Sequence, residues 1–194
     1  MKKIIFVSLL TLFLMPLPYA GAQPLETLKV AVDQAMKILD DPQYKDEAQK
    51  ETQRDEIWKV IRQVFDLPGI AQITLGRHWR QFSQAEKDEF TEVFGRFLGN
   101  NYVDKIQSGF SGEKVEYLEQ DLITDTKSVV KTKIIRESLE IPVDYKMRKA
   151  GAEWRVYDVI IEGISLIKNY RTQFNSILMK STPKQLIETI KKKQ

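Results

Sequence analysis

Three observations in the 194-residue sequence predict an α+β fold. Apolar residues recur at helical spacing from Leu25 to the Gly109 and Gly112 pair, the period then falls from 3.6 to 2 over four consecutive segments, and helical spacing resumes at Ile164. With 42% of residues apolar and 29% charged, the chain can bury the core of one domain and is not of disordered composition.

The N-terminus stands apart from that domain. Lys2 and Lys3 precede an apolar run from Ile4 to Met15, followed by Pro16, Pro18 and the small residues Ala20, Gly21 and Ala22. This is the pattern of a secretory signal cut after Ala22, and its apolar run is too short to span a bilayer, which takes roughly 20 residues. The expected exported chain is a single domain, residues 23–194, whose formal charge drops from +3 to +1 once Lys2 and Lys3 are removed. So even a balance gives nucleic acid no electrostatic footing. The absence of cysteine leaves no disulfide and no thiol for a lipid anchor, so stability must come from packing.

The first helix is predicted from Leu25, Leu28, Val32, Met36 and Leu39, ending near Asp40, Asp41 and Pro42. A second is expected from about Lys45 to Phe65, with Ile57, Trp58, Val60, Ile61 and Val64 crowding its end, and the Leu67-Pro68-Gly69 step stops it. A short helical turn from Ile70 to Leu75 then reaches Gly76. Ser83 and Glu86 form a capping box ahead of Phe90, Val93, Phe94, Phe97 and Leu98, which predicts a long helix from Gln84 to about Gln107.

Beyond Gly112, strands are predicted near 113–123, 127–136, 139–149 and 153–161, each rich in Val, Ile, Tyr and Thr and joined by short turns. Together they make a four-stranded antiparallel meander. In the third, Leu139, Ile141, Val143, Tyr145 and Met147 alternate with Glu140, Pro142, Asp144, Lys146 and Arg148, so one face is apolar and the other wet. A helix is expected from Ile164 through Leu178, and Thr182, Pro183 and Gln185 start a last one ending in Lys191, Lys192 and Lys193.

Few motifs carry chemistry. His78 is the only histidine, and without cysteine or a second histidine it supports neither a metal site nor a nucleophilic relay. Gly109 and Gly112 lack the following Lys and Ser or Thr of a phosphate-cradling loop. The terminal lysines read as a solvated helix end at the negative pole of its dipole. A sheet with one apolar face, roofed by amphipathic helices, can pack solid or enclose a cavity for an apolar ligand, and periodicity leaves both open.

Two strings carry a resemblance. Residues 75–102, LGRHWRQFSQAEKDEFTEVFGRFLGNNY, hold Leu75, Gly76, Trp79, Ser83, Phe90, Phe94 and Tyr102. Residues 141–174, IPVDYKMRKAGAEWRVYDVIIEGISLIKNYRTQF, hold Asp144, Tyr145, Trp154, Val156, Tyr157, Asp158, Glu162, Gly163, Ser165 and Arg171. Together they closely resemble the MlaC family, also called the toluene-tolerance auxiliary component family. The resemblance implies an NTF2-like α+β fold and a non-enzymatic periplasmic phospholipid carrier of a Gram-negative cell. Its partners would be an outer-membrane lipoprotein–porin complex and an inner-membrane ABC transporter, with phospholipid as cargo and no cofactor or metal.

On that reading, with the strand alternation, the acyl chains are expected against Ile141, Val143 and Tyr145, facing Val156, Val159, Ile164 and Ile167, with Leu75, Phe94 and Phe97 as the other wall. Asp158 and Arg171 are expected to pair across the turn at Gly163, and Arg171 is a candidate for head-group contact. Two alternatives stand beside the carrier: an NTF2-like enzyme using a pocket acid, for which Asp144 is the candidate although the alternation turns it from the apolar face, and a ligand-free adaptor.

Overall fold

A proline at the start of a helix gives up an N–H that would be unpaired there anyway, and Pro24 opens α1 (Pro24–Asp40) in this way. The computed structural model describes residues 23–193, and the expected leader lies outside them. Helix α1 gives way at Asp41, whose carboxylate accepts the Gln43 N–H and turns the chain into a 3-10 segment instead. Asp46 does the same for Ala48. These local aspartate bonds compete with the helical ladder, so the second helix, expected from Lys45, begins five residues later as α2 (Lys50–Val64). Asp66 caps α3 (Leu67–Leu75), which stops at Gly76 with a positive φ of 54°. Helix α4 (Gln84–Gly109) carries the expected capping box and runs two residues further than the spacing suggested.

The sheet is antiparallel throughout, in the order β1 (Lys114–Thr124), β2 (Lys127–Arg136), β3 (Leu139–Ala150), β4 (Glu153–Ile161) and β5 (Ile164–Ser165). Four long strands match the meander read from the sequence. The fifth is a two-residue return: Glu162 and Gly163, both at positive φ, fold Ile164 and Ser165 back onto Ile161 and Ile160. Ser165 then caps α5 (Leu166–Leu178), so Ile164 belongs to the sheet edge and not to the helix. Thr182 and Gln185 make a second capping box at α6 (Pro183–Lys191).

A bulge in β4 settles which face each residue takes. Lys146 pairs with Asp158 but Met147 with Val156, so Tyr157 is the extra residue and alternation flips there. Asp158 is thereby carried to the face opposite Val156, where it accepts from Ser165 Oγ at 2.8 Å and Ile167 N at 3.2 Å, with Lys146 Nζ at 3.7 Å. The expected Asp158–Arg171 pair therefore does not form. Arg171 lies instead over Gly76, its Nε 3.0 Å from where a Cβ would stand.

Two cores result. One is helical, gathering Leu75, Phe82, Phe90, Phe94, Ile167 and Phe174 from α3 to α6 and the turn before α4. Its rings meet at centroid distances of 5.1 to 5.8 Å for Phe90, Phe94 and Phe174, a range in which edge and offset contacts add to burial. The other packs α1 and the end of α2 on the sheet through Leu28, Val64, Val130, Met147, Trp154 and Val156. His78 belongs to the first half as a structural residue, 6% exposed, and its ring nitrogens meet Gln81 at 3.1 Å and Asn175 at 3.0 Å.

Candidate functional site

The second core does not close. Along the inner face of α1 the stripe Leu28, Val32, Met36, Leu39 is interrupted by Ala31 and Ala35, and side chains that short leave space beneath the helix where larger ones would fill it. Opposite stand Ile57, Val60, Ile61 and Val64 of α2. The floor is Val115 of β1, Ile134 of β2 and Ile141 and Tyr145 of β3, and one end is formed by Ile106, Gly109 and Phe110 where α4 stops. The cavity volume is about 320 Å³, and the lining is almost wholly apolar. Cavities for small ligands begin at roughly this size.

Charge appears at one end only. Lys105, Glu113 and Arg136 are the charged side chains of the lining, and all three sit where α4 hands over to β1 and β2 turns into β3. Arg136 donates from Nη2 to the Gly109 carbonyl at 2.9 Å, and its Nε lies 3.1 Å from Glu113 Oε1. Glu113 also accepts from Ser111 N and Oγ at 2.8 and 3.2 Å. Burial would raise its pKa, but these donors and the guanidinium outweigh that and hold the carboxyl below its ordinary value.

Inside, Tyr145 is the polar exception. Burial pushes its hydroxyl pKa up to about 12, so it stays a neutral phenol, and it has no hydrogen-bond partner among the described residues. The interior can thus offer one donor to an otherwise apolar occupant.

Helix α1, the roof, is fastened to β1 along one seam. Tyr117 Oη donates to Asp33 at 2.8 Å, Lys29 Nζ lies 2.5 Å from the same carboxylate and 4.8 Å from the Tyr117 ring centroid, and Leu25 N donates to Gln120 at 2.8 Å. Burial alone would raise the Asp33 pKa; hydrogen bonds from Lys29 and Tyr117, with the charges of Lys29 and Lys37, bring it below its ordinary 3.8. A depressed folded pKa stabilises above the unfolded value and is lost as pH falls through the folded one. Asp33→Asn is therefore expected to melt slightly below the parent at pH 6, by no more than about 1 kcal/mol for so exposed a pair. The gap should close as pH falls below 3.8. Melting curves across pH check this, and a gap that widens in acid contradicts it.

Of the ten residues expected against the acyl chains, Ile141 and Tyr145 line this cavity. Val143, Val156 and Val159 are on the correct sheet face but lie in packed core, the first two at 3% and 0% exposure. Leu75, Phe94, Phe97 and Ile167 belong to or pack on the helical core. Ile164 is 63% exposed at the β5 edge. The second wall is instead α1 and α2. Their apolar stripes are plain in the sequence, and Ala31 and Ala35 within the first are the available sign of a gap. Asp144 pairs across the sheet with Lys131 and Ile160, on the face away from Ile141 and Tyr145. Among the described residues no group of three or more histidines and carboxylates is placed to hold a metal, and no helix is long and apolar enough to cross a membrane.

Comparison with known proteins adds three findings. The family model described as MlaC protein matches residues 29–192. Among curated proteins, the chain is 23% identical to the intermembrane phospholipid transport system binding protein MlaC of Haemophilus influenzae, over 55% of this chain and 51% of that one. It is 24% identical to the toluene tolerance protein ttg2D of Pseudomonas putida, over 66% and 60%. The matches thus span between half and three fifths of these relatives' lengths. In fold, the phospholipid-binding protein of Ralstonia solanacearum, solved in complex with a phospholipid, superposes with a TM-score of 0.76 at 24% identity, covering 89% of this chain and 97% of that one.

Proposed function

The chain belongs to the MlaC family, and from that premise we propose that it is a phospholipid carrier whose cavity between the sheet, α1 and α2 shields acyl chains from water. The observation that carries this reading is the distribution of polarity: an apolar interior with its charged residues confined to one end. That is the complement of a lipid with two tails and one head. Each methylene kept from water contributes about 0.8 kcal/mol, so two chains represent on the order of 20 kcal/mol of gross hydrophobic free energy. A protein that moves lipid through water must offset most of it, and a bare lipid cannot make the crossing unaided.

The relatives support the same cargo, since one is named for phospholipid transport between membranes and another was solved with a phospholipid. The finer role proposed is a periplasmic shuttle, exported by the 1–22 leader, taking lipid between an outer-membrane lipoprotein–porin complex and an inner-membrane ABC transporter, with residues 23–194 as one lipid-binding domain. The enzyme alternative has less to stand on. Its candidate acid, Asp144, faces away from the cavity, and the carboxylate at the rim, Glu113, is committed to Ser111 and Arg136. Binding in so deep an apolar site implies slow release in the absence of a partner.

Native mass spectrometry of protein purified from a Gram-negative host tests the reading. About one diacyl phospholipid per chain is expected. Protein that arrives empty, and stays empty after incubation with phospholipid vesicles, would refute it and favour the adaptor.

A further inference from the structure

We propose that Arg136, with Lys105, forms a binding site for a phosphodiester at the cavity mouth, so that the head group of the cargo is gripped at its phosphate and not left wholly to water. The inference rests on the carrier reading above and adds to it a recognised chemical group and the residues that recognise it.

Four observations converge. First, Arg136 is held in a fixed pose. Glu113, its side chain only 11% exposed, binds Nε while the Gly109 carbonyl takes Nη2, and the Arg136 side chain remains 47% exposed at the rim. Second, that pose leaves Nη1 without a partner among the described residues, and Gly109 keeps the space beside it clear: Nη1 lies 3.9 Å from where a Cβ would stand. A guanidinium pinned on one edge and open on the other is suited to an anion with two oxygens to offer.

Third, the charges balance. Lys105 has no ion-pair partner among the described residues; its stem lines the cavity, and its ammonium rests 5.8 Å from the Tyr102 ring centroid. With Glu113 neutralising one cation, the mouth retains one net positive charge, the complement of a phosphodiester. Lys105 and Gly109 are four apart on α4 and share a face, so the ammonium needs only to swing along the helix to join the guanidinium.

Fourth, the depth fits. Arg136 pairs with Leu139 at one end of the sheet, and Tyr145 lies six residues further along β3, or roughly 20 Å at strand rise. A single leaflet's hydrocarbon is roughly 15 Å deep. The span from Arg136 to Tyr145 is thus comparable with the length of an acyl chain and its glycerol.

Phosphatidylglycerol and phosphatidylcholine share the phosphodiester and differ beyond it. The site is expected to treat them alike and to be indifferent to diacylglycerol, which lacks the group. The test loads protein from vesicles of each chain-deuterated lipid and counts captured lipid by mass spectrometry. Arg136→Gln should capture about tenfold less of both phospholipids, the change that loss of a charge-assisted hydrogen bond makes, while loading diacylglycerol as the parent does. Arg136→Lys and Lys105→Gln should each lose about two- to threefold, which keeps the test decisive if Arg136→Gln folds poorly. Parent-like phospholipid capture by these variants would overturn the site, as would an equal loss of diacylglycerol in folded protein. A parent that loads none of the three lipids would instead overturn the cavity reading itself. If excess inorganic phosphate protects the parent but not Arg136→Gln from melting, and phospholipid capture is unchanged in the variant, the site serves free phosphate and the lipid assignment fails.

Discussion

Ile141→Asp is expected to cut phospholipid capture at least tenfold while the protein still folds. Ile141 lines the cavity beside Ile134 and is half-buried, so the carboxylate can reach water in the empty protein. An acyl chain laid across it removes that water. Ionised, the group then loses solvation worth several kcal/mol, and neutral, it still buries a hydroxyl with no partner. Ile141→Val, which only shortens the lining, should retain most of the lipid. Lipid per protein by mass spectrometry, with a melting curve beside it, separates the outcomes. Parent-like loading in the aspartate variant would show that the chains lie elsewhere.

Phe94→Ala is expected to act in the opposite way, on stability and not on cargo. Phe94 is 1% exposed and meets Phe90, Tyr170 and Phe174 at centroid distances of 5.3, 5.3 and 5.1 Å in the helical core. Truncating a buried phenylalanine costs about 3–5 kcal/mol through lost burial and the void left behind. For a chain of this size that lowers the melting temperature by roughly 6–20 °C. Well below the transition, lipid per folded molecule should match the parent. An intact melting temperature with lost lipid would restore Phe94 to the cavity wall, where the sequence reading had put it.

These two variants mark where the sequence was informative and where it was not. The α4 capping box, the strand alternation through Ile141, Val143 and Tyr145, and the reversal at Gly163 are local features set by a few neighbouring residues, and each stands in the structure as read. The misreadings are of two kinds. The starts of α2 and α5 moved because short side-chain bonds, from Asp46 in one case and Ser165 in the other, captured backbone groups that the apolar spacing had assigned to a helix. The Asp158–Arg171 pair failed because Asp158, turned by the bulge at Tyr157, is taken up by Ser165 Oγ and the Ile167 N–H at the start of α5, while Arg171 lies over Gly76. Neither leaves a mark in hydrophobic periodicity.

What the sequence determined unaided was the α+β class, the order of the elements, the apolar face of β3 and, through two specific strings, the family. What only the tertiary structure decided was which apolar residues meet one another and which meet a void. Leu75, Phe94 and Ile167 carry the same hydrophobic signature as Ile61, Ile134 and Ile141, yet the first three close a helical core and the others line open space. Periodicity reports that a side chain leaves water. Whether atoms from another element arrive to fill the space it enters depends on residues distant in the chain, here the short side chains of Ala31 and Ala35 opposite the sheet and the bare backbone of Gly109 at the mouth.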